Sequence, residues 1–382
     1  MKVYFDNAAT TPLDKEVFAA MTPFLLEHFG NPSSIHSYGR EAKAAVERSR
    51  KTVAGLLNTS PSEIFFTSCG TEADNTAILS GINSLGIKDI ITSPLEHHAV
   101  LHTVESLAKE GKVKVSYLEP DQHGNLNLDQ LKELLQKNPG SMVSLMHGNN
   151  ELGNLNDLNA ICQICAESGA VFHSDTVQTV GHYPIDLSAL KIHFIAGSAH
   201  KFNGPKGVGF LYINHGLRIK PLIHGGAQER NMRGGTENVA GIVGLAKALE
   251  IACREMKEQR GHIEGLKSRM IARIKEKIPF AGFNGESANL DKSLYTVLNI
   301  SLPESDLNEM LIFNLDIHKI YASAGSACSS GSNAGSHVLN ALKFDPKKGA
   351  VRFSFGKQNT LEEVDYVVDV LAKIYQAELK TS

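Results

Sequence analysis

The sequence predicts an α/β fold: a mainly parallel sheet between helices, followed by a smaller α+β part. Short apolar runs alternate with amphipathic helical patterns through the first two hundred residues. That alternation is how strands buried on both faces of a parallel sheet read. After Pro279 the elements become shorter and the pattern changes. The chain has 382 residues, and at about 150 residues per domain this allows two to three domains.

The elements follow in order. Glu63-Ile64-Phe65-Phe66-Thr67 reads as a strand and Glu72 to Ile82 as a helix. Asp89-Ile90-Ile91-Thr92 is a strand, and Ala99 to Lys109 is helical. Val113 to Tyr117 is the next strand, with a helix over Leu128 to Gln136. Met142 to Met146 is a strand, Leu158 to Glu167 a helix, and Ala170-Val171-Phe172-His173 a strand. His193 to Ala196 and Gly207 to Ile213 complete seven strands, the last of them a candidate for antiparallel pairing. Glu237 to about Ile278 is helical, with Gly261 and Gly265 as expected breaks. Ser293 to Ile300 and Ala350 to Phe355 read as strands, and Leu361 to Leu379 as a closing amphipathic helix. These patterns place a large domain over residues 16–260 and a small one over residues 1–15 plus 261–382.

Composition excludes several classes. Lys plus Arg number 38 against 41 Asp plus Glu, a formal net charge of −3. That balance gives no support to charge-driven binding of nucleic acid or acidic membrane. Hydrophobic residues are 42% and charged residues 21%, as in soluble globular proteins. No transmembrane run is expected. The N-terminal stretch Met1-Lys2-Val3-Tyr4-Phe5-Asp6-Asn7 lacks the apolar core of a secretory signal. Five scattered cysteines do not make a disulfide framework. A reducing cytoplasm is the expected location.

Residues 322–336 read ASAGSACSSGSNAGS. Apart from Cys328 and Asn333 every residue there is Ser, Ala or Gly, so a mobile loop carrying a cysteine is expected.

Several strings carry chemistry. Ser198-Ala199-His200-Lys201 ends an apolar run, and a lysine there suits a Schiff base with an aldehyde cofactor such as pyridoxal phosphate. Alone it is one of 38 basic residues, most of which belong on the surface. Asp175 ends a neighbouring run, where it suits the carboxylate that keeps the cofactor's pyridine nitrogen protonated. A helix N-cap is the alternative for Asp175. Gln178 suits either a capping box or the cofactor's phenolic oxygen. Thr67-Ser68-Cys69-Gly70-Thr71-Glu72 follows a strand and opens a helix, an anion seat suited to a phosphate or an ordinary capped start. It is not a Walker loop, since no Gly-Lys-Ser/Thr follows. Ser198 and His200 are candidate further phosphate donors. His97, in Glu96-His97-His98, suits stacking on a pyridine ring and proton transfer. A metal pair with His98 is disfavoured, because adjacent side chains diverge. Cys162-Gln163-Ile164-Cys165 lies in an apolar helical pattern and reads as packing.

Together with Asp6-Asn7-Ala8-Ala9-Thr10-Thr11-Pro12, Phe29-Gly30-Asn31-Pro32-Ser33-Ser34, His147-Gly148-Asn149-Asn150-Glu151, Met232-Arg233-Gly234-Gly235-Thr236 and Gly325-Ser326-Ala327-Cys328, these strings resemble cysteine desulfurases. Those are fold-type-I pyridoxal phosphate enzymes of the class V aminotransferase group. The match runs from about residue 3 to residue 370 with the strings in order.

The resemblance implies roles. Lys201 holds the cofactor aldehyde and His97 stacks on the ring. Asp175 faces the pyridine nitrogen, Gln178 the phenolic oxygen, and Asn150 the ring and substrate. Gly70, Thr71, Ser198 and His200 hold the phosphate, and Thr236 reaches it from the other subunit of a homodimer. Arg352 binds the substrate α-carboxylate as a bidentate pair. Cys328 is the nucleophile that takes sulfur from L-cysteine, leaving L-alanine and a Cys328 persulfide. That sulfur passes to an acceptor protein, such as an iron–sulfur scaffold, or into thiolation pathways. The serine-rich segment resembles the flexible-loop branch with broad acceptor choice. Cys69 stands where that branch often has a smaller residue, and packing is expected of it. The sequence closes at Ser382, where housekeeping members carry a longer tail that docks a scaffold; the resemblance does not carry that docking mode over.

Three other readings stay open. A class V aminotransferase would not need the cysteine loop. A selenocysteine lyase shares the substrate geometry. A sulfur-carrier or scaffold protein retaining the fold would have no use for Lys201, Asp175 and His97 together.

Overall fold

Short runs rich in apolar, β-branched and aromatic residues form the strands, as their propensities dictate. The computed structural model describes residues 1–324 and 335–375. Cys328 and most of the Ser/Gly segment lie outside the described residues, as does the expected end of the last helix beyond Tyr375.

The strands are β1 (Val3–Tyr4), β2 (Ile64–Thr67), β3 (Asp89–Thr92), β4 (Lys114–Tyr117), β5 (Met142–Ser144), β6 (Val171–Asp175), β7 (Phe194–Ser198), β8 (Gly209–Ile213), β9 (Gly282–Phe283), β10 (Val297–Glu304), β11 (Ile320–Tyr321) and β12 (Lys348–Ser354). The helices are α1 (Lys15–Leu26), α2 (Ser37–Leu56), α3 (Gly70–Leu85), α4 (His98–Lys109), α5 (Leu128–Lys137), α6 (Leu158–Glu167), α7 (Val239–Lys277), α8 (Leu311–Ile317), α9 (His337–Ala341) and α10 (Leu361–Ile374).

Seven strands join in the order β2-β8-β7-β6-β5-β3-β4. β8 runs antiparallel to both neighbours, and the other pairings are parallel. β6, β7 and β8 are buried almost throughout, because helices cover both faces of the sheet. Parallel strands all present their carboxyl ends on one side, so the loops after β5, β6 and β7 converge at one crevice.

A second core gathers around the antiparallel sheet β12-β10-β9. Phe5 and Val3 belong to it, and β1 pairs in parallel with β11. The N-terminal residues therefore pack with the C-terminal part.

α7 crosses between the two cores. Leu245 and Leu249 pack in the first, while Ile263, Leu266, Met270 and Ile274 pack in the second. The breaks expected at Gly261 and Gly265 do not occur; the helix is continuous for 39 residues. A mid-helix Gly costs only about 1 kcal/mol. Both glycines face open space, and the apolar stripe on the other side holds the helix together.

The strand expected from Ser293 starts only at Val297. Lys267 Nζ donates to Ser293 Oγ and to Leu294 O, each at 2.8 Å, and so fixes that chain away from the sheet. β5 stops at Ser144, and the amide of Met146 donates instead to Glu96 Oε1 at 2.7 Å. Cys162 and Cys165 are buried in α6, and burial pushes both thiols up to about 12. Among the described residues, no helix is long and apolar enough to cross a membrane.

Candidate active site

The loops after β2, β5, β6 and β7 enclose a pocket of about 190 Å³. It brings together Gly70, Thr71, His97, Asn150, Asp175 and Gln178, and with them Ser198, His200, Lys201 and Arg352. Two expected site residues are not in it. Thr236 lines a neighbouring cavity of about 170 Å³ with Arg233 and Glu229. Cys328 lies outside the described residues.

Lys201 sits on a single 3₁₀ turn directly after β7. Its Nζ donates to Ala8 O at 2.5 Å and Ala9 O at 3.0 Å. Gln178 Nε2 also donates to Ala8 O, at 3.1 Å. The turn after β1 thus supplies two carbonyls to the pocket.

Asp175 closes β6, and its Oδ1 accepts from Val177 N at 2.8 Å. No helix follows, so the N-cap alternative does not hold: the bond closes a local turn at the end of β6 that leaves Asp175 lining the pocket. Burial pushes its carboxyl up, against the backbone bond from Val177 and the Lys201 charge.

His97 caps α4: its Nδ1 accepts from Ala99 N at 3.1 Å. That bond places the proton of the neutral ring on Nε2. Burial, aided by the Lys201 charge, lowers its pKa to about 4. The ring is neutral and its plane is set by the helix. His200 is lowered to about 4 in the same way, and its Nδ1 lies 3.2 Å from Thr10 Oγ1.

α3 begins at Gly70 with no side chain capping its first turn. The helix dipole and the first N–H groups face the pocket, a ready anion seat. Gly70 is required there: a Cβ would lie 2.6 Å from Val177 Cγ2. Ser198 Oγ is buried and has no hydrogen-bond partner among the described residues. An uncapped helix start, an unpaired hydroxyl, a lysine and an aspartate fit the phosphate, aldehyde and pyridine nitrogen of pyridoxal phosphate.

Arg352 projects from β12 and is 1% exposed. Its Nη1 donates to Asn150 O at 2.8 Å and its Nη2 to Asp6 Oδ1 at 2.7 Å. Nε has no partner.

Sequence reasoning gave no role to Asp6, Ala8, Ala9 or Asp74. Asp74 lies one turn after Gly70 on the same helix face. Asp74 Oδ1 approaches His173 Nε2 to 3.2 Å, although neither atom makes a well-directed hydrogen bond. Burial, with the Asp175 charge, pushes Asp74 well up, and burial lowers His173 to about 3. Both shifts act against a charged pair here.

His98 turns away from the pocket. Its ring stacks on His102 at 4.5 Å and lies 4.4 Å from His337. Among the described residues no cluster of histidine, cysteine or carboxylate is arranged to hold a metal ion.

The segment before Thr236 is strained. Glu229, Arg230 and Asn231 have φ of 45°, 57° and 67°, unfavourable for residues other than glycine. Arg50 holds it: Nη1 and Nη2 reach the two Glu229 carboxylate oxygens at 2.7 and 2.9 Å in a buried pair. Arg233 ties the same segment to Glu72, on the first turn of α3, at 2.9 Å.

Residues 3–367 match the family described as Aminotransferase class-V. The chain is 44% identical over 379 residues to "Cysteine desulfurase IscS" of Dictyoglomus turgidum, covering 98% of this chain and 95% of that one. Among solved structures it is similar to a "NIFS-like protein" with a TM-score of 0.90 and 39% identity, covering 98% and 100% of the two chains. A structure described as "SspA in complex with cysteine" matches with a TM-score of 0.79 and 31% identity, covering 94% and 100%.

Proposed function

The chain belongs to the class-V aminotransferases and is a pyridoxal phosphate-dependent cysteine desulfurase, and from that premise we propose how its own residues divide the work. The observation that carries the proposal is the convergence of Lys201, Asp175, His97 and Arg352 on one pocket.

The uncapped start of α3 at Gly70 and Thr71, with Ser198 and His200, holds the cofactor phosphate. Asp175 would face the pyridine nitrogen, and Gln178 the phenolic oxygen. His97, its ring neutral and fixed by Ala99 N, would stack on the cofactor. The bound cofactor supplies an electron sink for the Cα carbon of an amino acid. With the cofactor bound, Lys201 would hold its aldehyde and could carry the proton at the substrate Cα. Arg352 fixes the substrate carboxylate, and Asn150 orients the substrate beside it.

Cys328 takes the sulfur. As a thiolate it attacks the substrate Sγ; an S–S bond forms as the substrate Cβ–S bond breaks. The electron pair returns to the carbon skeleton, which takes up protons and leaves as L-alanine. The balance is L-cysteine plus enzyme thiol giving L-alanine plus enzyme persulfide, with no outside oxidant. The persulfide then passes to an acceptor protein, in iron–sulfur assembly or thiolation.

The working unit is a homodimer in which Thr236 serves the partner's pocket. Supporting this, Phe18, Leu25, Leu26, Phe29 and Ile35, on α1 and the segment after it, are each exposed large apolar residues. Cytoplasmic location agrees with the free thiols of Cys69, Cys162, Cys165 and Cys253.

The test is Cys328→Ser. It retains the cofactor's visible absorbance and forms no persulfide with L-cysteine. Sulfide release at the parent rate would remove Cys328 from the nucleophile's role.

A further inference from the structure

We propose that Asp6 is a positioning residue: its carboxylate holds the Arg352 guanidinium in the orientation that receives the substrate carboxylate. The inference rests on the assignment of that arginine made above.

A buried arginine needs a counter-charge and a fixed plane. Arg352 has both. Asp6 Oδ1 accepts from Nη2 at 2.7 Å, and Asn150 O from Nη1 at 2.8 Å. These contacts use two of the five guanidinium N–H bonds, and Nε has no partner among the described residues. Among the described residues Asp6 is the one carboxylate in ion-pair contact with this arginine. A charge-assisted bond to a fixed oxygen sets direction as well as charge.

Asp6 is itself fixed. It bridges in parallel to Ser354, two residues beyond Arg352 on β12. Asn7 N donates to Ser354 O, and Ala8 N donates to Ser354 Oγ at 2.8 Å. The aspartate and the arginine therefore move as one piece. The same Oδ1 accepts from Ser323 Oγ at 2.9 Å. Ser323 pairs through its backbone with Arg352 in both directions. One carboxylate oxygen thus joins the N-terminal strand, the arginine and the chain just before residue 325.

The role differs from that of a structural ion pair. A structural pair would affect every ligand alike, whereas a positioning residue affects only ligands that carry a carboxylate. Full-length, cofactor-loaded protein is titrated with L-alanine and with L-alaninamide, followed by visible absorbance. The two probes share the amine and differ at the carboxylate. Asp6→Ala is expected to weaken L-alanine binding at least tenfold and to leave L-alaninamide within twofold. Asp6→Asn keeps an acceptor oxygen but not the charge, and is expected to lose threefold or more for L-alanine only, less than the alanine variant. Arg352→Ala serves as the reference and is expected to show the same selective loss. Equal loss of both ligands in the Asp6 variants, or no loss, overturns the proposal. If Asp6→Ala does not fold, the Asp6→Asn titration decides on the same criterion. If Arg352→Ala fails to discriminate the two probes, the assignment of Arg352 itself falls, a result distinct from failure at Asp6 alone.

Discussion

Both ends of the seven-stranded sheet open into cavities, and the larger is not the candidate site. The far end, before β2, β6 and β7, holds a cleft of about 650 Å³ lined by Asn58, Glu63, Lys191, His193 and His215 among others. Several of its polar groups are already matched within the chain. Glu63 accepts from Thr59, from Ser60 N and from His215 N. Burial raises the Glu63 carboxyl, but these hydrogen bonds outweigh it and hold the group below its ordinary range. His193 Nδ1 accepts from Phe172 N, and Asn58 reaches Asp186 and Ser188. The smaller pocket, at the carboxyl ends, keeps Ser198 Oγ and Arg352 Nε without hydrogen-bond partners among the described residues. Buried polar groups are normally paired. The pocket whose groups wait for partners is the one built for a ligand, whatever its size.

Substitutions at the two ends test this contrast. The largest effect is expected at Lys201→Ala, with loss of the cofactor's visible absorbance and at least about a thousandfold loss of alanine production, since a covalent anchor and proton carrier are removed together. Unchanged absorbance would sink the assignment. Arg352→Ala is expected to raise the KM for L-cysteine about a hundredfold with a far smaller change in kcat, consistent with ~2–3 kcal/mol for charged hydrogen bonds. Steady-state kinetics across L-cysteine concentrations separate the two constants, and a fall confined to kcat would contradict the role.

Acid should weaken the fold through the neutral histidines around the pocket. His97 and His147 stand at about 4 and His173 at about 3, each lowered chiefly by burial. The unfolded chain takes up these protons near pH 6.5, while the folded chain resists them until about pH 4 or 3. Stability is therefore full above about pH 6.5 and falls as pH drops toward 4, by up to ~1.4 kcal/mol per pH unit for each such histidine. Urea midpoints at pH 7.5 and pH 5 measure it, and equal midpoints would show that the rings are not buried neutral. The smallest effect on catalysis is expected at Glu63→Gln in the far cleft. It should cost about 1–3 kcal/mol of stability through unmatched hydrogen bonds and leave kcat/KM within twofold. A large catalytic loss there would break the contrast between the two ends.

Much of the site was legible in the sequence because its residues stand where apolar runs end. Asp175, Ser198 and Lys201 close or follow buried strands, and Gly70 and Thr71 open a helix after one. Strands such as Asp89–Thr92 were legible for the same reason: short apolar runs bounded by turns. What was not legible depends on distant contacts. Gly261 and Gly265 look like helix breakers, yet the core-facing side of α7 overrides them. The late start of β10 depends on Lys267, whose partners lie 26 and 27 residues away. The role of Asp6 depends on an arginine 346 residues away, which no local pattern reveals.

If the smaller pocket is the catalytic one, it removes sulfur from L-cysteine and delivers it to Cys328 of this chain. Purified protein incubated with L-cysteine is assayed for alanine, and the intact chain is weighed afterwards. Alanine is expected together with a mass gain of one sulfur, removed by dithiothreitol and absent in Cys328→Ser. Bound cofactor without alanine would contradict it and point to a different amino-acid substrate.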